Sequence, residues 1–147
     1  MLLDACLVQI ERRGIGVRAW QWIDAATTRR QAEQADSVLA QAVNTGPLHG
    51  VPIGIKDIID TKGIPMGTPV YQGNVPERSA SVVEMFEAGG AIVMGKTVTA
   101  ELAFLSPGKT RNPWNPAHTP GGSSSGSAAA VAAGFVSLAL GTQPTAR

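Results

Sequence analysis

Residues 51–59 read Val-Pro-Ile-Gly-Ile-Lys-Asp-Ile-Ile, with apolar side chains at both odd and even positions. Successive strand residues point to opposite faces, so this run predicts a strand buried on both sides, inside a sheet covered by helices. Lys56 and Asp57 are the exceptions, two charges in an apolar segment. Working downstream, Val82, Val83 and Phe86 give a helical stripe, Ser81 followed by Glu84 predicts a capping box, and Gly89-Gly90 predicts the stop. Residues 91–94 predict the next strand and 97–105 a short helix. Upstream, Leu2, Leu3, Cys6, Leu7 and Ile10 recur at helical spacing up to about Gly14. A strand over 17–23 follows, and Asp24 caps a second helix reaching about position 43, where Asn44-Thr45-Gly46-Pro47 breaks it. Strands and helices alternate, which predicts an α/β layered sheet. There is no internal repeat.

The segment 106–126 is rich in Pro, Gly, Asn and Ser, without periodicity, and such lengths inside a domain are more often functional than idle. It ends in Gly121-Gly122-Ser123-Ser124-Ser125-Gly126-Ser127 and runs straight into the helix former 128–133, stopped by Gly134. Residues 135–140 predict a last strand.

Composition sets the outer bounds. A chain of 147 residues with 44% hydrophobic and 16% charged residues suits one soluble globular domain. Its formal net charge of +1 gives no electrostatic footprint for nucleic acid or an anionic membrane. The single Cys6 excludes an internal disulfide and a cysteine-cage zinc site, and suits a reducing cytosol. Two histidines, His49 and His118, are too scattered to suggest a metal site. The start has no basic region before its short apolar run, and the most apolar stretch, 128–140, is too short to span a bilayer. These features predict a cytoplasmic protein.

Three places can carry chemistry. In the glycine–serine run, glycines let backbone approach a ligand, the helix start offers unpaired N–H groups, and four hydroxyls can relay protons or bind an oxyanion. The competing reading is a flexible linker, but a linker does not abut a close-packing alanine helix. A nucleotide loop fits poorly, since no Gly-Lys-Ser/Thr follows the glycines. Lys56 either snorkels to water, pairs with Asp57 or Asp60, or is buried with a lowered pKa and serves as a general base. Ser106-Pro107-Gly108-Lys109 has the Ser-x-x-Lys spacing of penicillin-binding enzymes, but Gly108 and the prolines after it oppose the helical turn that pattern needs. Asp57 and Asp60 lie too close together to flank a sugar as a glycosidase pair.

Taken together, Leu-His-Gly-Val-Pro-Ile-Gly-Ile-Lys-Asp over 48–57, the 79–97 segment ending in a Gly95-Lys96-Thr97 turn, and the glycine–serine segment 110–134 resemble the amidase-signature family in order and spacing. The resemblance covers about 48–143 and implies that residues 1–147 are the N-terminal part of a single domain. The implied fold is an incomplete α/β/α sandwich around a mixed sheet, with open strand edges. It implies an amidase that hydrolyses C–N bonds of small carboxamides without metal or organic cofactor. Lys56 matches the family's catalytic lysine, and Ser123 matches a bridging serine preceded by a cis peptide bond at Gly122. Gly121, Gly122, Ser124, Ser125 and Thr142 match loop-support or substrate-binding positions. Within the family, the alternative is the amidotransferase subunit of glutaminyl-tRNA synthesis. The segment 97–104 lacks the Asn-Met-Asp-Glu-Phe flavour of that group, and Gln143 replaces its usual Asp. A non-catalytic remnant keeping the glycine–serine anion site is the reading from another class.

The family's spacing puts the nucleophilic serine at position 147, which here is Arg147. Gly141-Thr142-Gln143 agrees with the family, and Pro144-Thr145-Ala146-Arg147 does not. That break predicts a frameshifted or truncated reading frame, or a natural short variant, and an inactive chain.

Overall fold

The structure is a computed structural model and describes residues 2–41, 45–71, 73–104 and 106–143. Its elements run α1 (Leu2–Val17), β1 (Trp20–Ile23), α2 (Ala25–Ala40), β2 (Pro52–Lys56), α3 (Ser81–Ala88), β3 (Ile92–Thr97), α4 (Ser125–Ala132) and β4 (Leu138–Leu140). The four strands form one mixed sheet in the order β1-β3-β2-β4. β1 runs antiparallel to β3, while β2 is parallel to both β3 and β4.

The central strand β2 is buried along its whole length, as the apolar run 51–59 predicts. Ile53 and Ile55 pack against Val83 and Phe86 of α3 on one face. The opposite face carries the larger core, where Leu3, Cys6 and Leu7 of α1, Ala32 of α2, and Ala129 and Ala130 of α4 surround Met94, Phe135 and Val136. Helices therefore cover both faces, and the residues of opposite parity in β2, Gly54 and Lys56, turn away from α3.

Several boundaries move for identifiable reasons. α1 runs past Gly14 to Val17 because Val17 is itself buried in the core, which shortens β1 to start at Trp20. Asp24 caps α2 as expected, its carboxylate accepting the Thr27 N–H at 2.9 Å. That helix ends at Ala40; positions 42–44, at the predicted end and break, lie outside the described residues. β2 stops at Lys56, where the Ile59 N–H closes a turn onto the Lys56 carbonyl at 2.9 Å. The capping box at Ser81 does not form: Ala80 takes the cap position, and its carbonyl receives the N–H groups of Val83 and Glu84.

β3 is longer than predicted because Gly95-Lys96-Thr97 continues the strand and is not a turn. The helix expected over 97–105 is a single 3₁₀ turn, Glu101–Ala103, and Leu105 lies outside the described residues. α4 starts three residues before the alanines, so Ser125, Gly126 and Ser127 belong to the helix. It ends in a reciprocal pair of bonds, Gly134 N–H to the Val131 carbonyl at 3.0 Å and Phe135 N–H to the Ala130 carbonyl at 2.8 Å. Gly134 holds φ +71° there, which suits glycine. Phe135 is thereby swung into the core as a fully buried side chain, leaving β4 only Leu138–Leu140.

The irregular segment before α4 is tied down. Arg111 N–H donates to the Val17 carbonyl at 2.8 Å, and the buried Thr110 hydroxyl donates to the Arg18 carbonyl at 3.2 Å. Arg13 of α1 donates to the Pro113 carbonyl at 3.1 Å and to the Ala133 carbonyl at 3.3 Å. The second contact places a cation at the negative end of α4.

Candidate active site

The site forms where the last residue of β2 meets the entrance to α4. Lys56 has no solvent exposure, and its Nζ donates to Ser123 Oγ at 2.7 Å and to Thr142 Oγ1 at 2.7 Å. Burial lowers the lysine's pKa, because the ammonium loses hydration while the neutral amine loses little. Of the three fates open to Lys56 in the sequence, the structure adopts the buried one, directed at a hydroxyl 67 residues away in the chain.

Ser123 is held from its backbone. The Gly122–Ser123 peptide bond is cis, and the Ser123 carbonyl accepts the Ala100 N–H at 2.9 Å and the Thr99 hydroxyl at 3.2 Å. Gly121 adopts φ +84°, a region that disfavours side chains. A shallow cavity of about 190 Å³ opens over Gly121, Gly122, Ser123, Ser124, Ser125 and Thr142.

Ser124 points to the chain after β4, where its Oγ accepts the Thr142 N–H at 3.1 Å and donates to the Thr142 carbonyl at 3.2 Å. The other two hydroxyls of the run serve packing. Ser125 is buried with its Oγ 3.5 Å from the Val98 carbonyl, and Ser127 bridges the Leu140 carbonyl at 2.8 Å and Thr97 Oγ1 at 2.7 Å. Gly126 has a separate reason to be glycine. Its N–H donates to the Val98 carbonyl at 2.8 Å, and a Cβ there would lie 2.3 Å from Val98 N and 2.4 Å from Ala19 O. The helix start is therefore pressed against the end of β3, which fixes the serines before it.

Lys96 is a buried charge that the sequence reading missed. It is fully enclosed on the strand beside β2, donating to the Ile59 carbonyl at 2.5 Å and lying 3.5 Å from Thr61 Oγ1. Burial lowers its pKa, opposed by the charges of Asp57 and Asp60. Asp57 is buried too, its carboxylate accepting the Gly67 N–H at 3.1 Å from each oxygen. Its pKa is raised by burial, against the pull of that N–H and of Lys96. These two charges brace the turn after Lys56. The available signal was a lysine next to an apolar strand, the same one that marks Lys56.

Position 147 and Pro144 lie outside the described residues. Ser106 and Lys109 stand on irregular backbone, away from any helical turn. His49 lies on a turn with Nε2 2.9 Å from the Ala35 carbonyl, and among the described residues no group of three or more His, Cys, Asp or Glu comes together.

The family model for amidases matches residues 1–144, nearly the whole chain. The chain belongs to the amidase family. Its relatives include a glutamyl-tRNA(Gln) amidotransferase subunit of Roseiflexus sp. (strain RS-1), 44% identical over 96% of this chain and 30% of that protein. Among solved structures, the native peptide amidase of Stenotrophomonas maltophilia superposes with a TM-score of 0.86 at 34% identity, covering 94% of this chain and 31% of that one. An amidase family protein of Bacillus anthracis str. Ames gives 0.87 at 30% identity, covering 98% and 32%. The chain thus spans about a third of the length of the amidase relatives it matches.

Proposed function

We propose that Lys56 and Ser123 form the proton-relay half of a C–N bond hydrolase acting on small carboxamides. The observation that supports this reading best is the fully buried Lys56 Nζ 2.7 Å from Ser123 Oγ. A lysine with a lowered pKa is available as the neutral amine, whose lone pair accepts the Ser123 proton. Ser123 then takes the proton of a nucleophilic serine, whose oxygen bonds to the amide carbon. The C–N bond breaks as Ser123 returns the proton to the leaving amine, and water hydrolyses the acyl ester. Thr142 holds the other face of the Lys56 amine, while Gly121, Gly122, Ser124 and Ser125 support the loop.

In this sequence the position assigned to the nucleophile is Arg147, so the described residues supply the relay and the attacking oxygen must come from elsewhere. We read residues 1–147 as part of one amidase domain, working in the cytoplasm. No described helix is long and apolar enough to cross a membrane. A second reading, a protein akin to the glutamyl-tRNA(Gln) amidotransferase subunits, is favoured by the names of curated relatives from Chloroflexus aurantiacus and Roseiflexus.

Joining residues 1–143 to a serine-bearing C-terminal part of the family and measuring ammonia release tests both readings. The expected result is release from simple primary amides, lowered at least about a hundredfold by Lys56→Ala or Ser123→Ala. Turnover untouched by either substitution overturns the relay, and release confined to glutamine favours the second reading.

A further inference from the structure

Ser123 is the hydroxyl of the glycine–serine run that meets a base. Ser124 is engaged with both backbone groups of Thr142, at 3.1 and 3.2 Å, and Ser125 and Ser127 are buried in packing contacts. Ser123 instead is half-buried on the wall of the 190 Å³ cavity, with Lys56 Nζ 2.7 Å from its Oγ. Thr142 Oγ1, 2.7 Å from the same nitrogen, accepts one N–H of the amine and so fixes its direction. Burial favours the neutral amine, whose lone pair is then left for the Ser123 proton.

That activation does not depend on a second serine. In the relay a second serine attacks and Ser123 hands protons on, but the sequence has Arg147 at the position assigned to it. The place of Ser123 in the backbone suits attack. It stands just before α4, which begins at Ser125, and the start of a helix has N–H groups without a helical partner and a positive dipole end that stabilise an oxyanion. Leaving groups then divide by their need for a proton. An amine departs only with one, and once Ser123 is the nucleophile its hydroxyl no longer links the Lys56 ammonium to the nitrogen. A 4-nitrophenolate departs without one.

We propose that the Lys56–Ser123 pair is by itself an acyl acceptor, with Ser123 the nucleophile toward activated esters of small acids. The inference rests on reading Lys56 as the base of Ser123. Neutral Lys56 takes the Ser123 proton as Oγ bonds to the carbonyl carbon. The tetrahedral oxyanion collapses, the C–O bond to the aryl group breaks, and the phenolate leaves with its electron pair. An acyl ester on Ser123 and an ammonium on Lys56 remain. Until Lys56 gives that proton to solvent it cannot activate water, so the ester accumulates.

The test is to mix the 147-residue chain with 4-nitrophenyl acetate, follow release of 4-nitrophenolate, and locate the acetyl group by mass spectrometry of the digested chain. The expected result is a burst of about one phenolate per chain and a hydroxylamine-labile acetyl ester on Ser123. Ser123→Ala should remove both, and Lys56→Met should slow the burst about a hundredfold or more. A cooperative thermal transition checks that each variant folds, and Lys56→Gln takes the place of Lys56→Met if that variant does not. No acylation, or acetyl on Thr142 or on lysines with none on Ser123, overturns the proposal. The relay still stands in that case if Lys56→Ala and Ser123→Ala abolish ammonia release by residues 1–143 joined to a serine-bearing C-terminal part. An ester that forms on Ser123 equally fast without Lys56 overturns both.

Discussion

Ser124 grips Thr142 by both polar groups of its backbone, accepting its N–H at 3.1 Å and donating to its carbonyl at 3.2 Å. Thr142 in turn offers its hydroxyl to Lys56 at 2.7 Å. Neighbouring serines thus reach the same lysine by two routes, Ser123 directly and Ser124 through Thr142. The two hydrogen bonds of Ser124 are each worth about 1 kcal/mol net, so Ser124→Ala should cost about 1–3 kcal/mol of stability. Urea denaturation measures it, and a loss below about 0.5 kcal/mol would show that the grip is idle.

Lys56 sets a pH dependence whose sign follows from burial. Its pKa is lowered in the folded chain, so below the folded pKa both states carry the proton and the full cost of burying the ammonium is felt. As pH rises from the folded pKa toward about 10.5, only the unfolded state still binds the proton, and stability increases. Lys56→Met should therefore stabilise the chain near neutral pH, with the gain shrinking as pH climbs. Denaturation curves of both proteins from pH 6 to 10 check this; a gap that widens with pH contradicts it.

Gly126 separates helix propensity from packing. A helix-interior Gly→Ala change ordinarily gains about 1 kcal/mol. Here the added Cβ meets backbone at 2.3 and 2.4 Å, which cannot yield as a side chain would. Gly126→Ala is expected to destabilise by about 1–3 kcal/mol. A rise in the thermal midpoint would show that α4 is not pressed against the end of β3.

Amide hydrogen exchange should divide the glycine–serine run at Ser124. Ser125, Gly126, Ser127, Ala129 and Ala130 are buried, so exchange from Ala128 through Ala133 should be slow. Rapid exchange through that stretch would restore the linker reading.

The 147-residue chain itself should hydrolyse no simple amide above background. On the proposed mechanism Ser123 relays a proton instead of attacking, the Arg147 side chain offers no nucleophilic oxygen, and Pro144 has no N–H for an oxyanion. A panel of primary amides and anilides is the assay. Turnover abolished by Ser123→Ala or Lys56→Ala would show that the nucleophile stands elsewhere than position 147.

Much of the fold was legible in the residues, though unevenly. The buried strand followed from apolar residues on both faces of 51–55, but its end did not, because Ile58 and Ile59 continue the run while the backbone turns. Hydropathy likewise cut β3 short at Met94, since the buried Lys96 looks like a surface residue until its partners are known. The capping box failed because Ala80 is already positioned by its N–H to the Asp60 carbonyl, a contact across 20 residues. The pairing of Lys56 with Ser123 could be expected only through family resemblance, because neither residue's neighbours encode the other's distance. The role of Lys96 and Asp57 as a brace came only from the fold.

The parallel pairing of β2 with β4 acts as a counting device. Ile55 stands level with Leu140, so Lys56 and Thr142 emerge side by side from adjacent strand ends. One residue of slip would move β4 by about 3.3 Å and turn each of its side chains to the opposite layer. The span from Gly134 to Ser137 therefore measures out length rather than merely connecting. A single insertion there should disarm the lysine while leaving every residue of the site in place by name.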